Sequence, residues 1–230
     1  MYLVGSFALG DADEHSDCDF LVVVREPPSG LRERAVRDLW SELPRRPGKW
    51  THDLEGSYAL LSDLADNDST GRPWFYVDHG HTTLAWDDHC NREVVRWTLR
   101  EHGVTLAGPE PRSFTAAVPA SLIRDRMRRD LPTLLGDIRS WAPAEVAWTQ
   151  RYVVATYARV LHSLVTGEVA SKRGALEWAP TALDPRWAPL LTQVRDDRAL
   201  GWDPDDPPRP GSWEEASAFA RWCEEWAVGR

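Results

Sequence analysis

Two aspartates near the start of the chain, Asp17 and Asp19, have the residue type and the spacing to hold a divalent cation. They stand directly before the apolar run Phe20–Val24, which is predicted to be a buried strand. Side chains two residues apart on a strand project from the same face. Because Mg²⁺ is commonly bound by one or two carboxylates together with substrate phosphates, the pair predicts a hard-cation site.

A Gly-Ser turn upstream of the aspartates adds a second kind of chemistry. Gly5 and Ser6 follow a short predicted strand over residues 1–4, and their backbone N–H groups can receive a phosphate. The hydroxyl of Ser16 is a further candidate donor. A strand, a phosphate-binding turn and a carboxylate pair together predict nucleotidyl transfer. That reaction needs a positioned triphosphate, neutralised charge and a deprotonated hydroxyl nucleophile.

The composition limits the partners that such a site can serve. The 230 residues carry a net charge of −9, which argues against nucleic-acid binding and favours a small cationic molecule. Three cysteines without a paired spacing predict a reducing, cytoplasmic compartment, and no apolar run is long enough to span a bilayer. Most of the 13 tryptophans are expected in packing, with one or two lining a ligand cleft. We expect a monomer that does not bind membranes.

The pattern of the chain changes at Gly108-Pro109-Glu110-Pro111, which predicts a first domain over 1–110 and a second over 111–230. Before this segment, short strand patterns alternate with helical ones, including a helix over 93–102. After it the pattern is helical, over 122–141 with an interruption at Pro132, and then over 144–165, 171–178, 186–197 and 212–227. The sequence therefore predicts an α+β domain followed by a helical bundle.

Two sets of residues carry a resemblance to known families. The spacing Gly5-Ser6-x3-Gly10-x6-Asp17-x-Asp19 resembles the signature of the polymerase-beta-like nucleotidyltransferases. Leu54-Glu55, Leu106-Ala107-Gly108-Pro109 and Tyr157–Gly167 followed by Ser171-Lys172 resemble the streptomycin/spectinomycin adenylyltransferases. The resemblance covers roughly residues 3 to 195. It implies an N-terminal nucleotidyltransferase domain, a mixed sheet with flanking helices, and a C-terminal helical bundle that closes over the nucleotide.

The resemblance also implies an activity and a set of site residues. The activity is Mg²⁺-dependent transfer of AMP from ATP, a co-substrate, to a hydroxyl of an aminoglycoside or aminocyclitol antibiotic, and hence antibiotic resistance. Asp17 and Asp19 correspond to the metal-binding aspartates. The family's nucleotide-contacting serines correspond to Ser6 and Ser16, beside Gly5 of the turn described above, and the cations that hold the ATP phosphates correspond to Arg159 and Lys172 in the second domain.

Two residues are candidates for the catalytic base. The family uses a glutamate in an aromatic-Gly-Glu-Trp segment, and Tyr76-Val77-Asp78-His79 stands in the corresponding place, which makes Asp78 the first candidate. Glu55, on the predicted third strand, is the alternative. The neighbouring His79-Gly80-His81 lacks further ligands at metal-binding spacing and is predicted to be a turn.

The chain departs from the family pattern in two places. The acid that contacts the drug is replaced by Thr149, with Glu145 one helical turn earlier as a possible substitute. The family also has a helix before its first strand, whereas Met1 lies four residues before Gly5; either that helix is encoded upstream or this form packs without it.

Two alternative functions stay open on the sequence. One is an antitoxin-like enzyme that adenylylates a protein partner. The other is a non-catalytic nucleotide-binding homologue, against which the intact Asp17 and Asp19 argue.

Overall fold

The computed structural model describes residues 1–228 and divides into two compact units. The first unit is Met1–Val118 and the second begins at Pro119, so the division lies after the residue at which the sequence places it. The guanidinium of Arg100 is one of several groups of the first unit that hold residues 112–117. It donates to the backbone carbonyls of Arg112 and Thr115 and ties the residues after the Gly-Pro segment to the first unit.

A six-stranded mixed sheet forms the centre of the first unit. Its strands are β1 (Tyr2–Leu3), β2 (Cys18–Val24), β3 (Leu54–Leu60), β4 (Trp74–Val77), β5 (Leu84–Asp87) and β6 (Val104–Thr105). The order across the sheet is β5-β4-β3-β2-β1-β6. Strands β2 and β3 are parallel and the other neighbours are antiparallel, so the mixed sheet that the sequence predicts is confirmed.

Five α-helices connect and cover the strands of the first unit. They are α1 (Gly5–Ala8), α2 (Gly30–Glu42), α3 (Lys49–His52), α4 (Leu61–Leu64) and α5 (Glu93–His102). On one face of the sheet, Trp40 of α2 stacks on Phe20 of β2; on the other face, Leu99 of α5 packs into the core. The predicted helix over 93–102 is confirmed. The predicted Gly-Ser turn is instead the single helical turn α1, because the chain continues into i→i+4 hydrogen bonding after β1.

All regular secondary structure in the described part of the second unit is helical. Its α-helices are α6 (Ala120–Asp130), α7 (Leu134–Trp141), α8 (Ala147–Thr166), α9 (Lys172–Ala182), α10 (Ala188–Asp196) and α11 (Ser212–Val228). Helix α8 is the central element and packs against α6, α9, α10 and α11. Gly167 follows its last residue and caps the helix; the left-handed φ of +76° and the close approach to Ala120 both require glycine at this position. No helix within residues 1–228 is long and apolar enough to cross a membrane.

Candidate active site

Strand register brings three carboxylates into one row across the first unit. Asp19 on β2 is the partner of Glu55 on β3 in the parallel pair. On the other side of β3, Gly56 is the partner of Val77, so Glu55 lies opposite Asp78, the residue that follows β4. Residues paired across neighbouring strands share a face of the sheet. The candidate metal ligand Asp19 and both candidate bases therefore occupy adjacent positions on one face.

Asp17 lies immediately before β2 and is held by a histidine. The ring nitrogen Nδ1 of His79 donates to Oδ1 of Asp17 at 2.8 Å, and Nε2 of the same ring is 3.8 Å from Oδ1 of Asp53. The hydrogen bond to Asp17 raises the pKa of His79. Asp17 is thus positioned by a contact from the loop after β4, and about two-fifths of its side chain is exposed.

The glycine that opens α1 packs directly on the carboxylate of Asp19. Gly5 has φ +58°, and a Cβ atom built on it would lie 1.8 Å from Oδ2 of Asp19. Both the backbone conformation and the space exclude a side chain here. The Gly5 position therefore allows the backbone of α1 and the aspartate to approach each other closely.

The donor set of this region fits a hard cation. Within residues 1–228, no group of three or more His, Cys, Asp or Glu side chains could hold a metal ion. A Mg²⁺ ion does not require such a cage, because it is commonly bound by one or two carboxylates and completes its shell with water and substrate phosphates. Asp17 and Asp19 offer carboxylate oxygens of this kind.

Ser16 and Ser6, the two candidate nucleotide-binding serines, differ in exposure and in hydrogen bonding. Ser16 is only 4% exposed, and its hydroxyl donates to Oδ1 of Asp13 and accepts from the Asp13 backbone N–H. It therefore shapes the loop that leads into β2. Ser6 lies in α1, is partly exposed, and accepts a hydrogen bond from the Asp11 backbone N–H at its carbonyl. Their roles in nucleotide binding stay predictions.

A hydrogen-bonded chain links the two candidate bases. The hydroxyl of Tyr76 lies 2.9 Å from Oε1 of Glu55 and 3.1 Å from Oδ1 of Asp78. Nε2 of His89 lies 3.1 Å from the same Glu55 oxygen. The side chain of Glu55 is 17% exposed and that of Asp78 is 48% exposed. Asp78 is thus the more accessible carboxylate and Glu55 the more constrained one.

In the second unit, Lys172 borders an aromatic pocket that is rich in cations. Its Nζ lies 5.0 Å from the centre of the Tyr152 ring and 4.9 Å from that of Trp202. The cations and aromatic rings that line this pocket are Lys172, Arg151, Arg173, Arg195, Arg198, Trp148, Tyr152 and Trp202. No acidic residue is among the described residues that line it. Such a surface suits a planar anion.

Arg159 contacts the segment that precedes Lys172. Its Nε donates to the carbonyl of Ala170 at 3.2 Å, and the hydroxyl of Ser171 accepts from the Gly174 backbone N–H to cap α9. Lys172 is the first residue of that helix. The structure therefore connects the two predicted phosphate-binding cations through the backbone of one short segment.

The two residues considered for the drug-contacting acid lie in different surroundings. Thr149 is fully buried in α8, and its hydroxyl has no hydrogen-bond partner. Glu145 is exposed in the segment before that helix. Of the two positions, only Glu145 presents its side chain to solvent.

Several residues near these groups carry no signal in the sequence on their own. Tyr76 and His89 reach Glu55, and His79 reaches Asp17, through strand pairing and loop geometry. Tyr152 and Trp202 contact Lys172 from other parts of the second unit. An isolated tyrosine or histidine is indistinguishable from a packing residue in one sequence. The register of β3 with β4 is the signal that would have identified Tyr76.

Comparison with known proteins agrees with this geometry. Residues 1–59 match the nucleotidyltransferase domain, and residues 114–220 match the C-terminal domain of aminoglycoside adenylyltransferases. An aminoglycoside (3'') (9) adenylyltransferase from Rhizobium radiobacter is 33% identical over 200 residues, which span 81% of this chain and 70% of that protein. A spectinomycin 9-adenylyltransferase from Campylobacter jejuni is 29% identical over 207 residues, or 85% of this chain and 76% of that protein.

A solved structure shows the same fold. Spectinomycin adenyltransferase from Enterococcus faecialis, crystallised with ATP and spectinomycin, superposes with a TM-score of 0.69 over 99% of this chain and 90% of its own length, at 14% sequence identity. The sheet, the helical second unit and the sequence matches define a nucleotidyltransferase enzyme. The chain belongs to the aminoglycoside adenylyltransferase family, which confirms the resemblance drawn from its motifs.

Proposed function

We propose that this enzyme transfers AMP from ATP to a hydroxyl of an aminoglycoside or aminocyclitol in a Mg²⁺-dependent reaction. The observation that carries the proposal is the row Asp19, Glu55 and Asp78 on adjacent strands, with Gly5 packed on the first of them. Membership of the family supports the choice of substrates, because the relatives are named for aminoglycosides and spectinomycin.

In this proposal Asp17 and Asp19 hold Mg²⁺. The bound ion would supply neutralisation of the charge on the triphosphate and on the leaving pyrophosphate. The protein contributes the geometry: His79 holds Asp17 from one side, and the absence of a side chain at Gly5 leaves room for Asp19. Gly5 and Ser6 would also present backbone N–H groups to the phosphates.

Asp78 takes the proton of the acceptor hydroxyl. It is the more exposed of the two candidate bases, and it accepts hydrogen bonds from Tyr76 and from the His79 backbone N–H. A base must lie within hydrogen-bonding reach of the proton that it removes, so the exposed carboxylate of Asp78, just after the end of β4, is better placed than the more buried Glu55.

The second unit contributes cations for the nucleotide. Lys172 is close to rings that suit a nucleobase and to guanidinium groups that suit phosphates. Charge-assisted hydrogen bonds between such cations and phosphate oxygens are among the stronger polar contacts in proteins. Arg159 either contacts phosphate directly or acts through the Ala170 segment that it fixes.

The acceptor is bound mainly through its positive charge. The net charge of −9 favours a cationic molecule. Within the second unit, Glu145 is exposed, whereas Thr149 is buried and offers no charge to such a molecule. We expect a different pattern of preferred drugs from a family member that has an acid at this position.

The test is pyrophosphate release from ATP and Mg²⁺ with a panel of aminoglycosides and aminocyclitols. At least one compound should stimulate release well above the rate with ATP alone. If ATP binds but no compound in a broad panel stimulates release, the drug-modifying function is wrong and the nucleotide site survives. Asp17→Asn serves as the inactive control for contaminating activity.

A further inference from the structure

The hydroxyl of Tyr76 contacts both candidate bases, although a phenol has only one proton to donate. The distances to Oε1 of Glu55 and Oδ1 of Asp78 are 2.9 and 3.1 Å, both within normal hydrogen-bond length. Two ionised carboxylates can only accept, so the hydroxyl serves one of them at a time. A proton added to the pair lets the same hydroxyl hydrogen-bond to both carboxylates at once, donating to one and accepting from the other.

The surroundings keep Tyr76 protonated and keep Glu55 in place. Burial, followed by the charges of Glu55 and Asp78, raises the pKa of Tyr76, so the phenol is neutral. Nε2 of His89 contacts Glu55 on the same oxygen as Tyr76, and the two aromatic rings pack with centroids 5.4 Å apart. The order of contacts is therefore Asp78, Tyr76, Glu55 and His89.

We propose that Tyr76 is a positioning residue that joins Asp78 and Glu55 into one proton-accepting unit, with His89 holding its buried end. This inference rests on the proposed function, because it describes how the acceptor proton is received. Neither Asp78 nor Glu55 is then the sole base: Asp78 meets the hydroxyl, and Glu55 shares the proton through the phenol.

The acceptor oxygen forms a bond to the α-phosphorus of ATP, the bond from that phosphorus to pyrophosphate breaks, and pyrophosphate leaves with the electron pair. The acceptor O–H bond breaks, and its proton goes to Asp78. A proton then passes from Asp78 to the Tyr76 oxygen while the phenolic proton passes to Glu55. Tyr76 ends neutral, Asp78 ends ionised, and repulsion between the two carboxylates is removed while Glu55 holds the proton.

The first measurement is steady-state turnover of Tyr76→Phe, with Tyr58→Phe as the matched control. Tyr58 lies on the same sheet, and its hydroxyl accepts a hydrogen bond from Trp40. Tyr76→Phe should lower kcat by about tenfold or more and leave the KM for ATP unchanged, since proton transfer and not nucleotide binding is affected. Tyr58→Phe should leave kcat within about twofold of the wild-type value. Equal effects of the two changes would overturn the proposal.

The second measurement asks whether Tyr76 acts through Glu55. In the Glu55→Gln enzyme the shared acceptor is gone, so adding Tyr76→Phe should cost less than about twofold further in kcat. A loss as large as in the wild-type background would show independent roles and contradict the proposal. Thermal unfolding of each variant separates this outcome from loss of folded protein.

The third measurement does not need an acceptor substrate. The groups that face the His89 imidazole are Glu55 on β3, Tyr76 and Asp78 at β4, and Asp87 on β5. Without the phenolic hydrogen bond, the Glu55 carboxylate should hold the His89 proton more tightly. We expect the His89 titration midpoint, measured by NMR, to rise by about half a unit in Tyr76→Phe and not in Tyr58→Phe. An unchanged His89 midpoint in Tyr76→Phe would overturn the coupling between Tyr76 and Glu55, whatever the acceptor of the enzyme is. Failure of the wild type to adenylylate any drug would refute the proposed function alone.

Discussion

The two units offer binding surfaces of opposite charge. The first unit presents Asp17, Asp19, Glu55 and Asp78 at one end of the central strands β2, β3 and β4. The second presents Lys172 and four arginines around aromatic rings. An acidic surface attracts metal and a cationic acceptor, and a basic one attracts the polyphosphate. Under the proposed function, the first unit binds the metal and receives the proton, and the second unit binds the nucleotide.

Removing one carboxylate of the acidic surface should have the largest effect. Asp17→Asn keeps the size of the side chain but loses a charge that the proposed metal site requires. We expect turnover to fall by about three orders of magnitude, since metal stabilisation of the transition state is worth several kcal/mol. The unfolding temperature should change by only a few degrees. Pyrophosphate release measures the first quantity and calorimetry the second; retained activity would remove Asp17 from the metal site.

A change at Gly5 tests whether the acidic surface depends on backbone packing. Gly5→Ala places a Cβ against Asp19, whereas Gly10→Ala adds one at a similar positive φ with nothing within 4 Å. Gly10→Ala should cost about 1 kcal/mol of folding free energy from its conformation alone. Gly5→Ala should cost a further 1 to 3 kcal/mol, roughly, from the clash, and should also lower activity. Urea unfolding measures both costs; equal values would show that Asp19 moves freely away.

The basic surface should respond in nucleotide affinity. Lys172→Gln removes a charge-assisted contact worth about 1.5 to 3 kcal/mol, so the KM for ATP should rise about ten- to hundredfold. The KM for the acceptor should stay unchanged. Arg186→Gln is the control, because Arg186 also stacks on tryptophans of the second unit, Trp187 and Trp222, but lies outside this pocket. A rise in the KM for the acceptor, with an unchanged KM for ATP, would show that the basic surface binds the acceptor and not the nucleotide.

The smallest effect is a difference in pH dependence between two histidines. A hydrogen bond to Glu55 raises the pKa of His89 above 6.5, and burial lowers the pKa of His162 in the second unit below it. His89 therefore contributes stability that is complete below pH 6.5 and is lost as the pH rises through its folded value. His162 contributes stability that is present above pH 6.5 and is lost as the pH falls through its folded value.

NMR titration of the two rings checks this prediction. The midpoint of His89 should lie above that of His162. Glu55→Gln should lower the midpoint of His89 and leave that of His162 unchanged. Coincident midpoints in the wild-type protein would mean that the two histidines share similar surroundings, contrary to the structure.

Local patterns predicted the elements of the fold well. The helix over 93–102 and the strand pattern after Asp19 follow from the spacing of apolar residues, and Pro132 separates α6 from α7 as its missing N–H requires. The first compact unit extends to Val118, past residue 110, where the sequence predicts the domain boundary. The prolines and glycine of 108–111 end regular structure, but Arg100 holds the chain beyond them through long-range hydrogen bonds.

The candidate site was predictable only where the motif is contiguous. The spacing of Asp17 and Asp19 in the sequence is enough to predict a candidate metal site. The contacts of Tyr76 and His89 with Glu55 depend instead on the register of β4 on β3 and on a loop contact. Lys172 is suggested by the family resemblance, and its aromatic neighbours come from other helices and loops of the second unit. Contacts between distant segments depend on packing, which one sequence does not display.

The most direct test of the proposed function is transfer of label from ATP labelled at the α-phosphate. The purified enzyme is incubated with Mg²⁺, labelled ATP and spectinomycin or streptomycin, and the products are separated. The wild-type enzyme should transfer the label to the antibiotic and release pyrophosphate in equal amount, and Asp17→Asn should transfer none. Label on a protein, or none on any antibiotic of the panel while ATP binds normally, would contradict the proposed function.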